Sequence, residues 1–267
     1  MSLAWAFFKR DAINALSYRT SFAVQLAGNL VVLAVFYYIG QMVGTRDLPA
    51  LAAYGGNFLA FLLIGIALND CVTVSLRTFA DQIREGQLTG SLETMLMSPV
   101  RLPAVLIYSS LWGYFFSAIR FVVCLSLGVL FYDVGMRQAN IGAAVAIFVL
   151  TVLCFAGVGM LWASVVMVIK RGESIMTAIG ALMILLSGVL FPTAVLPTGL
   201  QRVAAFVPMT PALEGMRLAL LRGDGISDLA TIVVKLVAFA VVLLASGMAA
   251  FSLSVRIVKQ TGSLTQY

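Results

Sequence analysis

Long apolar stretches, separated by shorter polar ones, run along this 267-residue chain. A helix needs about 20 mostly apolar residues to cross about 30 Å of hydrocarbon, and lipid leaves the backbone groups of an isolated strand unsatisfied. The pattern therefore predicts an all-α integral membrane protein, because it lacks the short alternating segments of a barrel. Six transmembrane helices are predicted, at residues 22–43, 51–76, 104–131, 141–169, 174–191 and 229–255.

The first 20 residues carry a different pattern. At 100° per residue, one stripe is apolar and the opposite side is polar. This predicts an amphipathic interfacial helix over residues 1–20, with a frayed polar lead-in to the first span as the alternative. The apolar stripe contains Trp5, Phe8, Ala12 and Leu16, and the polar side contains Arg10, Asp11, Asn14 and Ser17.

Composition supports the membrane assignment and narrows the chemistry. The chain is 61% hydrophobic and 10% charged, whereas a soluble domain has roughly 45–50% and 25%. It contains no histidine, the commonest metal ligand and general base, which disfavours an integral membrane enzyme. Cys71, Cys124 and Cys154 form no CxxC pair and are predicted to be packing residues, with no disulfide or metal implied.

The distribution of Lys and Arg orients the spans. With the N-terminus inside, ten of these residues face the cytoplasm and five face outside, while Arg120 and Lys235 lie within spans. Basic residues are retained on the cytoplasmic side. We therefore predict a multi-pass protein of a bacterial-type inner (plasma) membrane with both termini cytoplasmic. The net charge of +6 then needs no nucleic acid partner.

The connection between the second and third spans, residues 77–103, is the longest one predicted on the cytoplasmic side. It contains the run REGQLTGSLETMLMSPVR at residues 84–101. Thr78 predicts a helix start, and Gly86 and Gly90 predict helix breaks. The connection is thus predicted to be short helices that present an apolar stripe to a partner, or alternatively to the bilayer surface. That stripe comprises Leu92, Met95 and Leu96.

Two segments resemble the permease subunits of type-2 ABC exporters. The run EGQLTGSLETMLMSPV resembles the family pattern Glu-Gly-x-x-x-Gly-Ser/Thr-Leu-Glu-x-Leu-Leu-x-Ser-Pro. The run LFPTAVLPTGLQRVAAFVPMTPALEGMRLALLRG at residues 190–223 resembles the family's extracytoplasmic segment. The first run carries Glu85, Gly86, Gly90, Ser91, Leu92, Glu93, Leu96, Ser98 and Pro99 of the pattern.

The resemblance implies an architecture and site residues. It implies one permease domain over residues 1–267, with the interfacial helix at 1–20, a cytoplasmic coupling region at 77–103, and a re-entrant or surface helical cap at 192–227, between helices five and six. The residues implied to couple the chain to an ATPase are Asp81, Arg84, Glu85, Leu92, Glu93 and Leu96. Those implied for an outer gate or cap are Pro192, Pro197, Pro208, Glu214 and Arg217.

The function implied is that of the transmembrane subunit of an ATP-driven exporter. It would move a hydrophobic or amphipathic substrate, drug-like or lipid-like, out of the cytoplasm or inner leaflet. The chain has no Gly-Lys-Ser/Thr motif of a P-loop, so we expect it not to be an enzyme by itself and to bind no cofactor. ATP and Mg²⁺ are expected on a partner.

The expected partners are two copies of an ABC ATPase subunit, a second permease copy in a homodimer, and membrane lipids. Export of a polysaccharide or lipid-linked glycan is the competing cargo class. An ion-coupled secondary transporter is the alternative from another class of protein, which would show inverted repeats or interrupted helices.

Charged residues inside or beside the spans are the remaining candidates. Arg120 is interpreted either as a substrate-path residue or as a structural one. Counting along the predicted spans places Asp70 near the cytoplasmic face, roughly 20 Å from the depth of Arg120, so the two are not expected to pair. Glu214 and Arg217, spaced i,i+3, can pair along a helix.

Overall fold

The computed structural model describes most of the chain from residue 57 onward. The described residues are 24, 27–28, 30–32, 34–35, 37–38, 51, 54, 57–88, 102–132, 136, 138–169 and 173–261. They form helices and turns, with no strand among them. The predicted interfacial helix at residues 1–20 lies outside these residues.

Seven α-helices are defined in the described ranges, together with a 3₁₀ turn at Thr193–Val195 and a π-helical turn at Leu218–Arg222. The described positions between 24 and 38 are also helical, within the first predicted span. The helices are α1 (Phe58–Leu88), α2 (Leu102–Tyr132), α3 (Ile141–Ile169), α4 (Glu173–Leu186), α5 (Thr198–Ala204), α6 (Met209–Arg217) and α7 (Ala230–Thr261).

Four of these helices, α1, α2, α3 and α7, are long and apolar enough to cross a membrane. This confirms an all-helical, multi-pass membrane protein. Helix α4 occupies most of the fifth predicted span but has only 14 residues, a length of about 21 Å. The count of six spans therefore stays a prediction.

Helix α3 lies at the centre, between α1 and α7, and runs parallel to both. A Cβ atom on Gly159 would lie 2.6 Å from the carbonyl oxygen of Ser75 in α1, and one on Gly157 would lie 2.5 Å from the backbone carbon of Leu243 in α7. Glycine allows helix backbones to approach this closely, which increases van der Waals contact where lipid provides no hydrophobic drive.

Helix α2 lies beside α1 and runs antiparallel to it, with the ring of Tyr114 6.4 Å from that of Phe79. One end of this four-helix group, the Phe58 end, therefore contains the first residues of α1, α3 and α7 and the last residues of α2. The opposite end, the Leu88 end, contains the last residues of α1, α3 and α7 and the first of α2.

Two boundaries of α1 differ from the sequence expectation. The helix begins at Phe58 rather than at 51, and it continues to Leu88 without a break. Thr78 does not start a helix, since its hydroxyl donates to the carbonyl oxygen of Val74 at 2.7 Å. Gly86 lies buried inside the helix. Burial of Ile83 in a core cluster shared with α3 and α7 outweighs the cost of a helical glycine, about 1 kcal/mol.

Candidate functional site

The last two turns of α1 place three of the predicted coupling residues on one exposed face. Asp81, Arg84 and Glu85 are exposed, whereas Ile83 and Gly86 are buried on the other side. Spacings of three and four residues bring side chains to the same face of a helix. The other predicted coupling residues, Leu92, Glu93 and Leu96, lie outside the described residues.

The 192–227 segment consists of short helices at the Phe58 end. Pro192 directly precedes the 3₁₀ turn at Thr193–Val195, Pro197 precedes α5, and Pro208 precedes α6. Proline suits the start of a helix because it lacks an N–H and has a fixed φ. These predicted gate residues thus define where each short helix begins. Whether the segment is re-entrant or lies on a surface stays a prediction.

Arg217, the last residue of α6, joins three parts of the chain. Its Nε and Nη2 atoms donate to the carbonyl oxygen of Phe61 in α1 at 3.3 and 3.1 Å. Its Nη1 donates to the oxygen of Gly188 at 2.9 Å, and Nη2 to that of Val189 at 3.1 Å. The guanidinium carbon also lies 3.3 Å from the centroid of the Phe61 ring. The side chain therefore fixes α6 to α1 and to the turn after α4.

The possible pairing of Glu214 with Arg217 is not formed. Glu214 is exposed, whereas Arg217 is 3% exposed and donates its hydrogen bonds to backbone carbonyls. The non-helical carbonyls of Gly188 and Val189 require donors, and a guanidinium supplies up to five in a rigid fork. Burial lowers the pKa of Arg217 to about 9, an effect that nearby Tyr54 opposes, so the group carries its charge at neutral pH.

Asp70 and Arg120 form an ion pair between α1 and α2. Arg120 Nη2 lies 3.1 Å from Asp70 Oδ2, with the side chains 5% and 22% exposed, respectively. The guanidinium carbon of Arg120 also lies 5.9 Å from the centroid of the Phe116 ring. The expectation that these residues lie at different depths is therefore wrong.

The error comes from the predicted span ends. Asp70 follows the start of α1 at Phe58 by twelve residues, and Arg120 precedes the end of α2 at Tyr132 by twelve residues. At 1.5 Å per residue, both lie about 18 Å from the Phe58 end. Hydropathy had started the second span at residue 51, which placed Asp70 too far along it.

This pairing offsets the cost of placing two charges inside the helix group. A lone charged side chain at mid-bilayer costs about 2.5–3.5 kcal/mol on insertion scales. Removing one partner of a buried pair typically costs about 3–5 kcal/mol, because the other charge is left uncompensated. The ion pair supports the structural interpretation of Arg120, and a contact with cargo stays a prediction.

Comparison with known families gives this arrangement an identity. The family model for the ABC-2 type transporter matches residues 2–221. The chain belongs to the ABC-2 type transporter family. No curated protein matches the chain significantly. The family match includes α1–α6, and with them both buried arginines.

Membership confirms the resemblance seen in the sequence. An ABC-2 membrane domain is the transmembrane subunit of an ABC transporter and associates with an ABC ATPase. Such domains are generally non-catalytic. The chain is thus a transmembrane permease of an ABC transporter.

Sequence reasoning missed several residues that complete these sites. Asp70 was found but was misplaced in depth, and the role of Phe61 as an acceptor leaves no trace in sequence. Gly65 lies against the Arg217 guanidinium. In the sequence it interrupts an apolar run, and an isolated glycine of this kind can indicate that another part of the chain packs closely against the helix backbone. Arg217 follows Leu213 by four residues, so helical periodicity would have placed it on the same face as this apolar residue.

Proposed function

We propose that this ABC-2 permease is the membrane half of an ATP-driven exporter whose ATPase subunit docks at the Leu88 end. One observation carries the proposal: the run EGQLTGSLETMLMSPV begins at Glu85, on the exposed face of the final turns of α1. A 31-residue helix would therefore carry the start of the coupling region directly into the membrane. Charged residues would set the register of docking, and the predicted apolar residues of the connection would be buried.

The orientation follows from the charge distribution and is compatible with the fold. The excess of Lys and Arg in the connections at the Leu88 end supports a cytoplasmic position for that end. Helices α1, α3 and α7 are parallel, so the chain between each of them and the next crosses the membrane an odd number of times. With the predicted first span before α1, both termini would then be cytoplasmic in an inner (plasma) membrane.

The cargo is a hydrophobic or amphipathic molecule that leaves the cytoplasm or inner leaflet. Two permease copies, as a homodimer, would enclose the path above two ATPase subunits that bind ATP and Mg²⁺. Large apolar side chains are exposed on faces of α2 and α7 where lipid or the second copy would lie. Examples are Phe115, Val122 and Leu130 on α2, and Val234, Val241 and Leu253 on α7.

The 192–227 segment acts as the outer gate in this scheme. Pro192, Pro197 and Pro208 divide it into short rigid pieces, and Arg217 holds its last helix against α1. Glu214 lies on the exposed side of the same helix, where it can face the path or a second copy. The gate would open when α1 changes its position relative to the turn at Gly188 and Val189.

Purification from the native membrane tests the proposal. The tagged protein would be isolated in a mild detergent and examined by mass spectrometry and an ATPase assay. We expect a stoichiometric partner with a P-loop and ATP hydrolysis. If the protein is recovered alone, repeatedly and well folded, the ABC assignment of its partner is wrong and ion-coupled flux becomes the function to measure.

Charge reversal locates the docking surface. Glu85→Arg, at the Leu88 end, is expected to preserve membrane insertion but to remove the ATPase from the purified complex. Glu214→Arg is the matched control, because it reverses an exposed glutamate at the opposite end. Retention of the ATPase by Glu85→Arg, or its equal loss from both variants, would contradict the coupling assignment.

A further inference from the structure

Helices α1 and α2 form an antiparallel pair with one continuous register. Seventeen residues of α1, from Leu63 to Phe79, run against fifteen residues of α2, from Gly128 to Tyr114. Continued to the ends of the described helices, this register would bring Phe58 near Tyr132 and Leu88 near Leu102. The contacting pairs are Leu63–Gly128, Asp70–Arg120, Cys71–Ser117, Thr78–Gly113 and Phe79–Tyr114.

The ion pair is the contact in this register that most strongly opposes sliding. Among the described residues, Asp70–Arg120 joins full charges across the two helices, whereas the neighbouring contacts join apolar, small or neutral polar groups. A slide of one helical turn, about 5.4 Å, would separate the charges in a medium that solvates them poorly. Apolar side chains can repack after such a slide, but the two charges cannot exchange partners.

Helix α1 also touches both functional regions. Its carbonyl at Phe61 accepts two hydrogen bonds from Arg217 of the 192–227 segment, about 14 Å from Asp70 along the helix. Glu85, at the start of the proposed docking region, lies about 23 Å from Asp70 in the other direction. Helix α2 begins at Leu102, where the connection 89–101 ends.

We propose that Asp70 and Arg120 are positioning residues that lock the register of α1 and α2. The locked pair moves as one unit and carries a displacement of the connection 89–101 to the Arg217 contact of the 192–227 segment. This inference rests on the proposed function, because it requires an ATPase at the Leu88 end. It assigns Arg120 a role through α1, rather than a contact with cargo.

A disulfide can replace the ion pair as a lock. A Cβ atom on Gly113 would lie 3.5 Å from Oγ1 of Thr78, the atom whose place a cysteine sulfur would take. In a disulfide, the distance from one Cβ to the far sulfur is about 3 Å, given an S–S bond of about 2.04 Å, so a small shift allows the bond to form. Thr78→Cys with Gly113→Cys, in a background where the three native cysteines are replaced by alanine, would crosslink α1 and α2 in the observed register. The crosslink contains no charge. It can therefore restore the register of α1 and α2, but it cannot replace a charged contact between Arg120 and cargo.

The readout is the movement of the turn that Arg217 holds. Leu190→Cys introduces a half-buried thiol in this turn, and its maleimide labelling would be followed by peptide mass spectrometry. The permease with its ATPase partner in nanodiscs is labelled with and without Mg-ATP. In the parent complex, we expect ATP to change the labelling rate at position 190.

Neutralising the pair should uncouple the two ends. Asp70→Asn, and the double variant Asp70→Asn with Arg120→Gln, should retain ATP hydrolysis but reduce the ATP-induced change in labelling rate by about 2- to 30-fold. The double variant leaves no buried charge uncompensated, so it protects the test against misfolding of Asp70→Asn. The 78–113 disulfide should restore the ATP-induced change in both variants, and reduction of the disulfide should abolish the rescue.

Several outcomes would overturn the inference. The locked-register model is wrong if the disulfide alone stops the ATP-induced change, because α1 and α2 would then have to slide. It is also wrong if the double variant keeps the full change, or if the disulfide fails to rescue it. An active parent complex whose labelling ignores ATP refutes transmission to this turn, whereas the absence of an ATPase refutes the proposed function itself.

Discussion

The contact between Gly65 and Arg217 makes a sharp prediction about stability. Gly65 lies one helical turn after Phe61, directly below the guanidinium. A Cβ atom at this position would overlap the carbonyl oxygen of Val189 and lie 2.9 Å from Arg217 Nη2 and 3.2 Å from the carbonyl carbon of Val189. Two of these three atoms belong to the backbone, so no simple rotation of a side chain relieves the overlap. Gly65→Ala must therefore displace either the turn or α1.

The magnitude follows from the bonds that this displacement breaks. Moving the turn lengthens the hydrogen bond between Arg217 Nη2 and Val189, now 3.1 Å, and a bond to a charged donor contributes about 1.5–3 kcal/mol. Overpacking adds about 1–3 kcal/mol. The better helix propensity of alanine returns about 1 kcal/mol. We expect a net loss of about 2–5 kcal/mol in the free energy of unfolding.

Thermal unfolding in detergent, measured on size-exclusion-purified protein, checks this value. By the scaling of soluble domains of similar size, the loss corresponds to a decrease in Tm of roughly 4–20 °C. Gly180→Ala is the matched control, because a Cβ atom on this helical glycine of α4 meets nothing within 4 Å. If Gly65→Ala unfolds at the temperature of the control, the close contact between α1, the turn and Arg217 is wrong.

Two further substitutions test the packing that positions these sites. Arg217→Lys should lower the free energy of unfolding by about 2–4 kcal/mol, because one ammonium cannot reproduce the fork that reaches three carbonyls. Its control is Arg222→Lys, at an exposed ion pair with Asp224, which should change the free energy of unfolding by less than about 0.5 kcal/mol in the same thermal assay. Gly157→Ala should destabilise the protein by about 1–3 kcal/mol, because its Cβ would lie 2.5 Å from the backbone of Leu243 and would push α3 away from α7. A Tm equal to that of Gly180→Ala would show that the two helices do not touch there.

The class of the protein and most of its helices could be predicted from apolar runs alone. The physical requirement for about 20 apolar residues is local, so it can be read from the sequence. Helix ends were less predictable, as α1 shows. Its last turns, from Arg77 to Leu88, are too polar to count as a span, yet they stay helical because Phe79 and Ile83 are buried in a core cluster with Phe251 of α7. That support comes from a residue that is distant in sequence.

The site residues that depend on local spacing were predicted, whereas the pair that depends on helix ends was not. Asp81, Arg84 and Glu85 were predicted to be presented, and helical spacing alone places them on one face. The partner of Arg120 depended on the relative depth of two helices. Helix α1 starts at Phe58 rather than at 51 and extends to Leu88 rather than to 76, and these two shifts move Asp70 by about 10 Å relative to the outer end and about 18 Å relative to the inner end. Pairing across helices is therefore predictable only when the helix ends are known.

The turn that follows α4 explains why an arginine is buried near the Phe58 end. Helix α4 ends at Leu186. The chain then leaves the helix in a turn whose Gly188 has a φ of 79°, a conformation that glycine adopts readily. Carbonyls in such a turn have no partner within a helix, and lipid offers none. Arg217 donates to two of them while it also bonds to α1, so one side chain satisfies the irregular backbone and fastens the 192–227 segment. A lysine, with a single point charge, could satisfy the turn or hold α1, but its geometry does not allow both.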